Sequence, residues 1–274
     1  MIDLNIKDFN IDDYDAVNVQ SNELKNILKL KIDRHLIFSG VMDLYLNNKE
    51  LNIDDSYWCV FEPEVLGPIH STFAAFGANV QVALTGKCSA RSMGDLARSD
   101  LILKANSNAV RQALSVSNEF VVAEIDCSDL AGIEEQIKDL SDKDCHGYLM
   151  FADRLDALLD GIKTAKRIDD KPIIASVCNS DTLVSDVDSL MDTGSDSFGV
   201  VFNTFEDCTG NLDIIDRLQS DYGCKALITI NNCHCSGADE LGEYISCLRK
   251  YGISLIRAGN STTRVDCASL YAQF

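Results

Sequence analysis

Basic residues are scarce in this chain. Twenty-four Lys and Arg stand against 43 Asp and Glu in 274 residues, a formal charge of −19. Such a surface repels phosphate backbones and anionic lipid at any distance that salt does not screen, so neither nucleic acid nor a membrane surface is an expected partner. Long apolar runs are missing too. No stretch approaches the roughly eighteen residues that span a bilayer, and the opening MIDLNIKDFNIDDYD is acidic where a secretory leader is basic and then apolar. There is no fixed-period repeat, no low-complexity tract and no Pro/Gly/Ser linker. G-x-S-x-G, Walker, H-E-x-x-H and EF-hand patterns are absent, which leaves serine hydrolysis, nucleotide-triphosphate hydrolysis and zinc proteolysis without support.

C-x-x-C pairs are absent as well. The eleven cysteines are odd in number and mostly isolated in apolar stretches, as Cys59 in YWCVF and Cys178 in IIASVCN. A reduced thiol packs there as a small hydrophobe, so the expected compartment is a reducing cytoplasm.

What is present is a folding pattern running through the whole length. Hydrophobic residues make up 46% of the chain without a compositional break. Leu36, Ile37, Val41, Leu44 and Tyr45 fall at helical spacing, which predicts an amphipathic helix in an N-terminal helical segment, 1–56. From residue 57 short β-rich runs alternate with helical ones. Strands are predicted at 57–61, 79–84, 101–105, 120–125, 147–152, 172–178, 198–202, 225–230 and 253–258. Helices are predicted at 64–77, 91–98, 107–116, 130–141, 154–167, 181–193, 211–222 and 239–251. Gly77, Gly194, Gly223 and Gly252 suit helix ends because glycine tolerates positive φ. An open, doubly wound, mostly parallel sheet of Rossmann-like α/β type fits this string, as does a closed (β/α)8 barrel with one surplus strand. The open sheet is preferred, because 57–126 reads as the first half of a dinucleotide-type unit and 127–274 as a substrate half. Both architectures place ligands at the C-terminal ends of the strands.

The first turn, Glu62-Pro63-Glu64-Val65-Leu66-Gly67-Pro68, has one glycine where a nucleotide fold places G-x-G-x-x-G. Its two glutamates oppose a pyrophosphate. The second strand ends at Thr85-Gly86-Lys87 without the acid that holds the adenosine ribose. Ordinary NAD or NADP use is therefore disfavoured, whereas the sulfonium of S-adenosylmethionine is helped by carboxylates. Solvated first-turn helix acids are the alternative reading of Glu62 and Glu64.

The later strands end in small amides and hydroxyls: Asn106-Ser107-Asn108, Asn179-Ser180, Asn203-Thr204, Asn231-Asn232 and Asn260-Ser261-Thr262. Converging amides bind a flat, hydroxylated or carboxylated molecule by directional hydrogen bonds. Each is equally a helix cap. The run Cys233-His234-Cys235 carries metal-ligand types at poor spacing, and no metal is expected. His234 either faces substrate or is a plain loop residue, His70 reads as structural, and His35 and His146 have no suggestive neighbours.

The stretches YWCVFEPEVLGPIHSTFAAFGANVQVALTGK and GDLARSDLILKANSNAVRQALS, in an acidic and cysteine-rich chain, resemble the pyridinol C-methyltransferases of iron-hydrogenase (guanylylpyridinol) cofactor biosynthesis in methanogens. The resemblance implies a Rossmann-like, homo-oligomeric enzyme that methylates a ring carbon of a pyridinol from S-adenosylmethionine. Glu62, Pro63, Leu66, Gly67, Thr85, Gly86, Lys87, Asn106 and Asn108 would then hold the cofactor. Asn179, Asn203, Thr204, Asn231 and His234 would serve catalysis, and Asn260, Ser261 and Thr262 the small-molecule substrate. The competing readings are an NAD(P)-dependent oxidoreductase of Rossmann type, a barrel-type lyase, for which Lys87 and Lys104 are the only strand-end lysines, and a non-enzymatic small-molecule-binding subunit.

Overall fold

Eight parallel strands close into a barrel in simple sequence order. They are β1 (Leu36–Phe38), β2 (Val80–Ala83), β3 (Phe120–Asp126), β4 (Gly147–Phe151), β5 (Ile173–Cys178), β6 (Ser197–Phe202), β7 (Ala226–Ile230) and β8 (Leu255–Ala258). The computed structural model describes residues 11–42, 55–90, 92–94, 98–117, 119–128 and 130–274. The helices among them are α1 (Ile11–Leu28), α2 (Asp55–Phe61), α3 (Leu66–Phe76), α4 (Ser99–Leu114), α5 (Leu130–Ser141), α6 (Leu155–Ile168), α7 (Leu183–Thr193), α8 (Phe205–Thr209), α9 (Leu212–Tyr222), α10 (Ala238–Lys250) and α11 (Arg264–Gln273). None of the described helices is long and apolar enough to cross a membrane.

This arrangement corrects the open Rossmann-like sheet. Two of the three strands proposed for its first half are helices. In α2, Ser56, Cys59 and Val60 are buried at three- and four-residue spacing while Phe61 is exposed. In α4, Ala105, Ala109 and Ala113 turn inward every fourth residue and Lys104 faces out. A short apolar run carries no period of its own, so YWCVF and LILKA read equally well as strand or helix. The opposite error fell on β1. Leu36, Ile37 and Phe38, expected in a helix, pair with both β2 and β8 and close the wall. Residues 1–56 thus supply a barrel strand as well as α1. Leu44 and Tyr45 of the expected helix, and half of the helix expected at 91–98, lie outside the described residues. The glycine endings hold: Gly77 and Gly194 take φ of 115° and 106°, each with its N–H returning to the helix it ends.

Alternation along the strands sorts side chains into two cores. Leu36, Phe38, Val80, Val82, Phe120, Val122, Leu149, Ile174, Leu227 and Leu255 fill the lower barrel interior. The opposite faces, including Val121, Ile125, Met150, Phe198, Ile228 and Ile256, pack beneath the helices. Strands covered on both faces read as near-continuous apolar runs, which is why seven of the eight were visible in the sequence. Helix α1 stoppers the N-terminal end. Its Leu24, Ile27 and Leu28 join the interior cluster with no exposure, and Lys225 N–H donates to Leu28 O at 2.8 Å. Gly147 opens β4 where Leu24 enters, since a Cβ there would meet Leu24 Cδ2 at 3.1 Å and Pro172 O at 3.0 Å. Leu24→Ala is expected to cost about 2–5 kcal/mol in urea unfolding, the range for emptying a fully buried leucine site.

Two histidines are structural. His70 is fully buried on α3, its Nδ1 3.0 Å from Gln81 Oε1. His146 Nδ1 accepts from Val121 N–H at 2.8 Å. Burial lowers both from 6.5 to about 4. The unfolded chain therefore takes up protons at these positions before the folded one does. Stability from this source is complete above about pH 6.5 and is lost as pH falls toward 4. Urea midpoints should be measurably lower at pH 5 than at pH 7; equal midpoints would contradict the burial of both rings.

Candidate active site at the barrel mouth

Toward the C-terminal ends of the strands the interior changes character. Above Val122 on β3 comes Glu124, and above Leu255 on β8 comes Arg257. Arg257 Nη2 donates to Glu124 Oε1 at 3.0 Å, and its Nε donates to Ser39 O at 3.3 Å. The two side chains are only 10% and 15% exposed. They reach toward each other from strands separated by β1 and β2, so the bridge crosses the interior. Taking both charges out of water costs more than an apolar pair of the same volume, so barrel stability does not call for this pair.

Two hydroxyls share the level. Thr229 is the register partner of Arg257 on β7, and Ser176 is the register partner of Gly199 on β5. By the alternation that points Leu227 and Ile174 inward, both face the axis. They are 6% and 8% exposed, and neither has a hydrogen-bond partner among the described residues. Gly199 carries no side chain because Ser176 lies across it: a Cβ there would sit 2.7 Å from Ser176 Oγ. Asp126 stands one step above Glu124, its Oδ1 accepting from Ser128 N–H at 2.9 Å, and Cys178 is exposed one step above Ser176. Two crevices lie elsewhere. One, too narrow to admit water, runs behind the β8 loop among Gly40, Phe73, Gly259 and Cys267. The other lies at the opposite end of the barrel among Asp33, His35, Arg249, Ser254 and Phe274.

The predicted site residues divide between this mouth and the outer wall. Thr85 and Gly86 belong to the mouth. Thr85 Oγ1 donates to Glu124 O at 2.6 Å, and a Cβ on Gly86 would meet Glu124 Oε2 at 3.2 Å. Their loop is held from outside by Gln136, whose Nε2 donates to Thr85 O at 2.7 Å and Asn106 Oδ1 at 3.2 Å. Lys87 follows, half-buried. Asn106 and Asn108 are buried in α4 and serve packing, donating to Cys88 O and Cys59 O. Glu62, Pro63, Leu66 and Gly67 lie on the turn from α2 into α3, outside the barrel wall. With no Rossmann half present, the argument that placed a cofactor nucleoside against that turn loses its premise.

The strand-end amides behave individually. Asn231 Oδ1 accepts from Asn260 N–H at 3.3 Å, and Thr262 Oγ1 donates to Asn231 O at 3.0 Å, which ties the β7 and β8 loops together beside Ser261. Thr204 caps α8 by accepting from Asp207 N–H at 3.2 Å. Asn203 is exposed and Asn179 half-buried, both on the rim. His234 is exposed, its Nδ1 3.5 Å from Asp266 Oδ1. Burial pushes the Cys233 and Cys235 thiols up to about 12 and 11, and Cys233 Sγ donates to Ile230 O. Among the described residues no three His, Cys, Asp or Glu side chains are grouped to hold a metal. Glu124 and Arg257, the charged centre of the mouth, were missed in the sequence. Their signal was a charged residue at an inward position of an otherwise apolar strand, FVVAEI and ISLIRA.

An all-parallel eight-stranded barrel with polar groups at its C-terminal mouth defines the (β/α)8, or TIM-barrel, class. Solved structures of that shape are similar to it. The oxidized form of the homocysteine methyltransferase MmuM from Escherichia coli matches with a TM-score of 0.74 at 14% identity, over 91% of this chain and 99% of that one. The carboxyl transferase domain of Rhizobium etli pyruvate carboxylase, with pyruvate, matches at 0.57 and 7% identity, over 92% of this chain and 50% of that one. Oxaloacetate acetylhydrolase, in complex with 3,3-difluorooxalacetate, matches at 0.53 and 12%, over 88% and 80%. At these identities the likeness shows the fold. No family model and no curated protein sequence matches the chain. The barrel neighbours overturn the resemblance to the Rossmann-like pyridinol methyltransferases, which rested on element order in a segment whose elements are otherwise.

Proposed function

We propose that this chain is an enzyme acting on a small molecule at the barrel mouth, with Glu124 transferring a proton and Arg257 holding negative charge on the reacting molecule. The observation that carries the reading is the charge pair across the interior, at the end of the barrel where this fold places its chemistry. Glu124 Oε2, against Gly86, takes no hydrogen bond from the described residues and so keeps a lone pair that can accept a proton. A guanidinium beside it stabilises an anion formed when that proton leaves. The barrels that resemble it are enzymes by name, two of them captured with a small oxo-acid or its analogue.

A narrower reading is methyl transfer to a small nucleophile. It is supported by the similarity to MmuM along nearly the whole of that chain, and Glu124 would deprotonate the acceptor. The test is common to both readings. Protein and a metabolite extract are incubated and followed by mass spectrometry, with wild type and Glu124→Gln in parallel. At least one metabolite should be consumed by the wild type and spared by the variant; equal consumption by both would remove Glu124 from the chemistry.

A further inference from the structure

The polar level of the barrel has more hydrogen-bonding capacity than its own residues use. Arg257 places Nε on Ser39 O and Nη2 on Glu124, which leaves Nη1 without a partner among the described residues. Thr229 and Ser176 are more than nine-tenths buried, face the axis, and have no hydrogen-bond partner there. Neither hydroxyl oxygen is sealed from solvent, so a molecule that enters the mouth can replace that contact with direct hydrogen bonds. The three groups run in order around the wall. Arg257 on β8 is beside Thr229 on β7, and Ser176 on β5 follows across the bare backbone of Gly199 on β6.

The electrostatics decide the sign and number of charges on that molecule. Glu124 and Arg257 cancel one another, and the free guanidinium edge offers donors only, in the geometry that suits a carboxylate. Asp126 stands just above, and the chain carries −19 overall. A second negative charge on the ligand is therefore opposed at the rim.

Granted the proposed acid–base role, we infer that the barrel mouth takes a small 2-hydroxy or 2-oxo monocarboxylate, its carboxylate on Arg257 and its 2-oxygen on Thr229 and Ser176. Such a molecule satisfies all three groups with its first two carbons. The proton left to Glu124 is one on the carbon beside the carbonyl of a 2-oxo acid, or that of the 2-hydroxyl once Arg257 has neutralised the carboxylate. A dicarboxylate adds the disfavoured second charge, and a simple fatty acid leaves both hydroxyls unsatisfied.

Titration calorimetry of the full chain with lactate, glycolate, pyruvate, malate, propionate and inorganic phosphate tests this. At least one of the first three should bind with a dissociation constant at or below about 1 mM, and propionate and phosphate at least about tenfold more weakly. Thr229→Val and Ser176→Ala keep shape and leave no buried charge, and each should weaken the bound acid by about threefold to tenfold, the size of one neutral hydrogen bond. Arg257→Lys keeps the charge but loses the planar fork, and should weaken it further. No binding of any 2-oxygenated monocarboxylate at about 10 mM, or binding indifferent to Thr229→Val and Ser176→Ala, overturns the inference. The two proposals fail separately: a Glu124-dependent substrate without a carboxylate removes the ligand class alone, while acid binding with Glu124-independent turnover removes the acid–base role alone.

Discussion

Glu124→Gln is expected to slow turnover by about a hundredfold to ten-thousandfold in a protein that still folds, with a lowered melting temperature because the Arg257 guanidinium loses its counterion but keeps a hydrogen bond. The rate loss is the usual contribution of a positioned proton-transfer group. Glutamine has the same shape and retains an oxygen to accept the 3.0 Å hydrogen bond from Arg257, so the barrel interior stays filled. It cannot take up a proton at neutral pH. A measured rate within threefold of wild type, with the substrate found by extract profiling, would show that Glu124 only steadies Arg257.

Removing the other partner should act on stability first. Arg257→Met leaves the Glu124 carboxylate in a site where its side chain is 15% exposed and its counterion is gone. Breaking a buried pair from one side costs about 3–5 kcal/mol, because the remaining charge has neither water nor partner. Adding Glu124→Gln to Arg257→Met removes that charge, and most of the lost stability should return. Urea midpoints of the wild type, the single variant and the double variant form the measurement. A single variant as stable as wild type, or a double variant no better than the single, would mean that the pair is solvated. Neither variant is expected to retain turnover.

Much of the barrel was legible in the sequence. Runs such as NVQVAL, FVVAEI, GYLMFA and KALITI are rich in the residue types that strands favour and are too short and too apolar to be surface helices. Closure was not. An open sheet and a barrel present the same alternation of strand and helix, and only the number and order of strands separates them. Taking YWCVF and LILKA out of the nine proposed strands and adding LIF leaves eight. Tertiary packing decided each of those three segments: three residues form β1 only because β2 and β8 lie on either side. The site was half legible for a related reason. Thr85, Gly86, Asn231 and Asn260 stand out in the sequence as polar or small residues at strand ends, and the structure places them at that end of the barrel, without testing the roles expected of them. Glu124 and Arg257 sit inside strands, where a charge reads as an outward face until the barrel shows that the face is inward.

The wall is sealed by Phe38 lying beside Arg257, residues more than two hundred positions apart. During synthesis, β1 emerges early and must wait for β8, the last strand made. Until then the sheet has two open edges, and the apolar side of α1, with Leu24, Ile27 and Leu28, has no complete barrel end to stopper. Contacts this distant in sequence form slowly, and open strand edges invite pairing with other copies. Nascent chains that carry a large excess of acid repel one another throughout that interval. The −19 charge opposes such pairing while the barrel is still open.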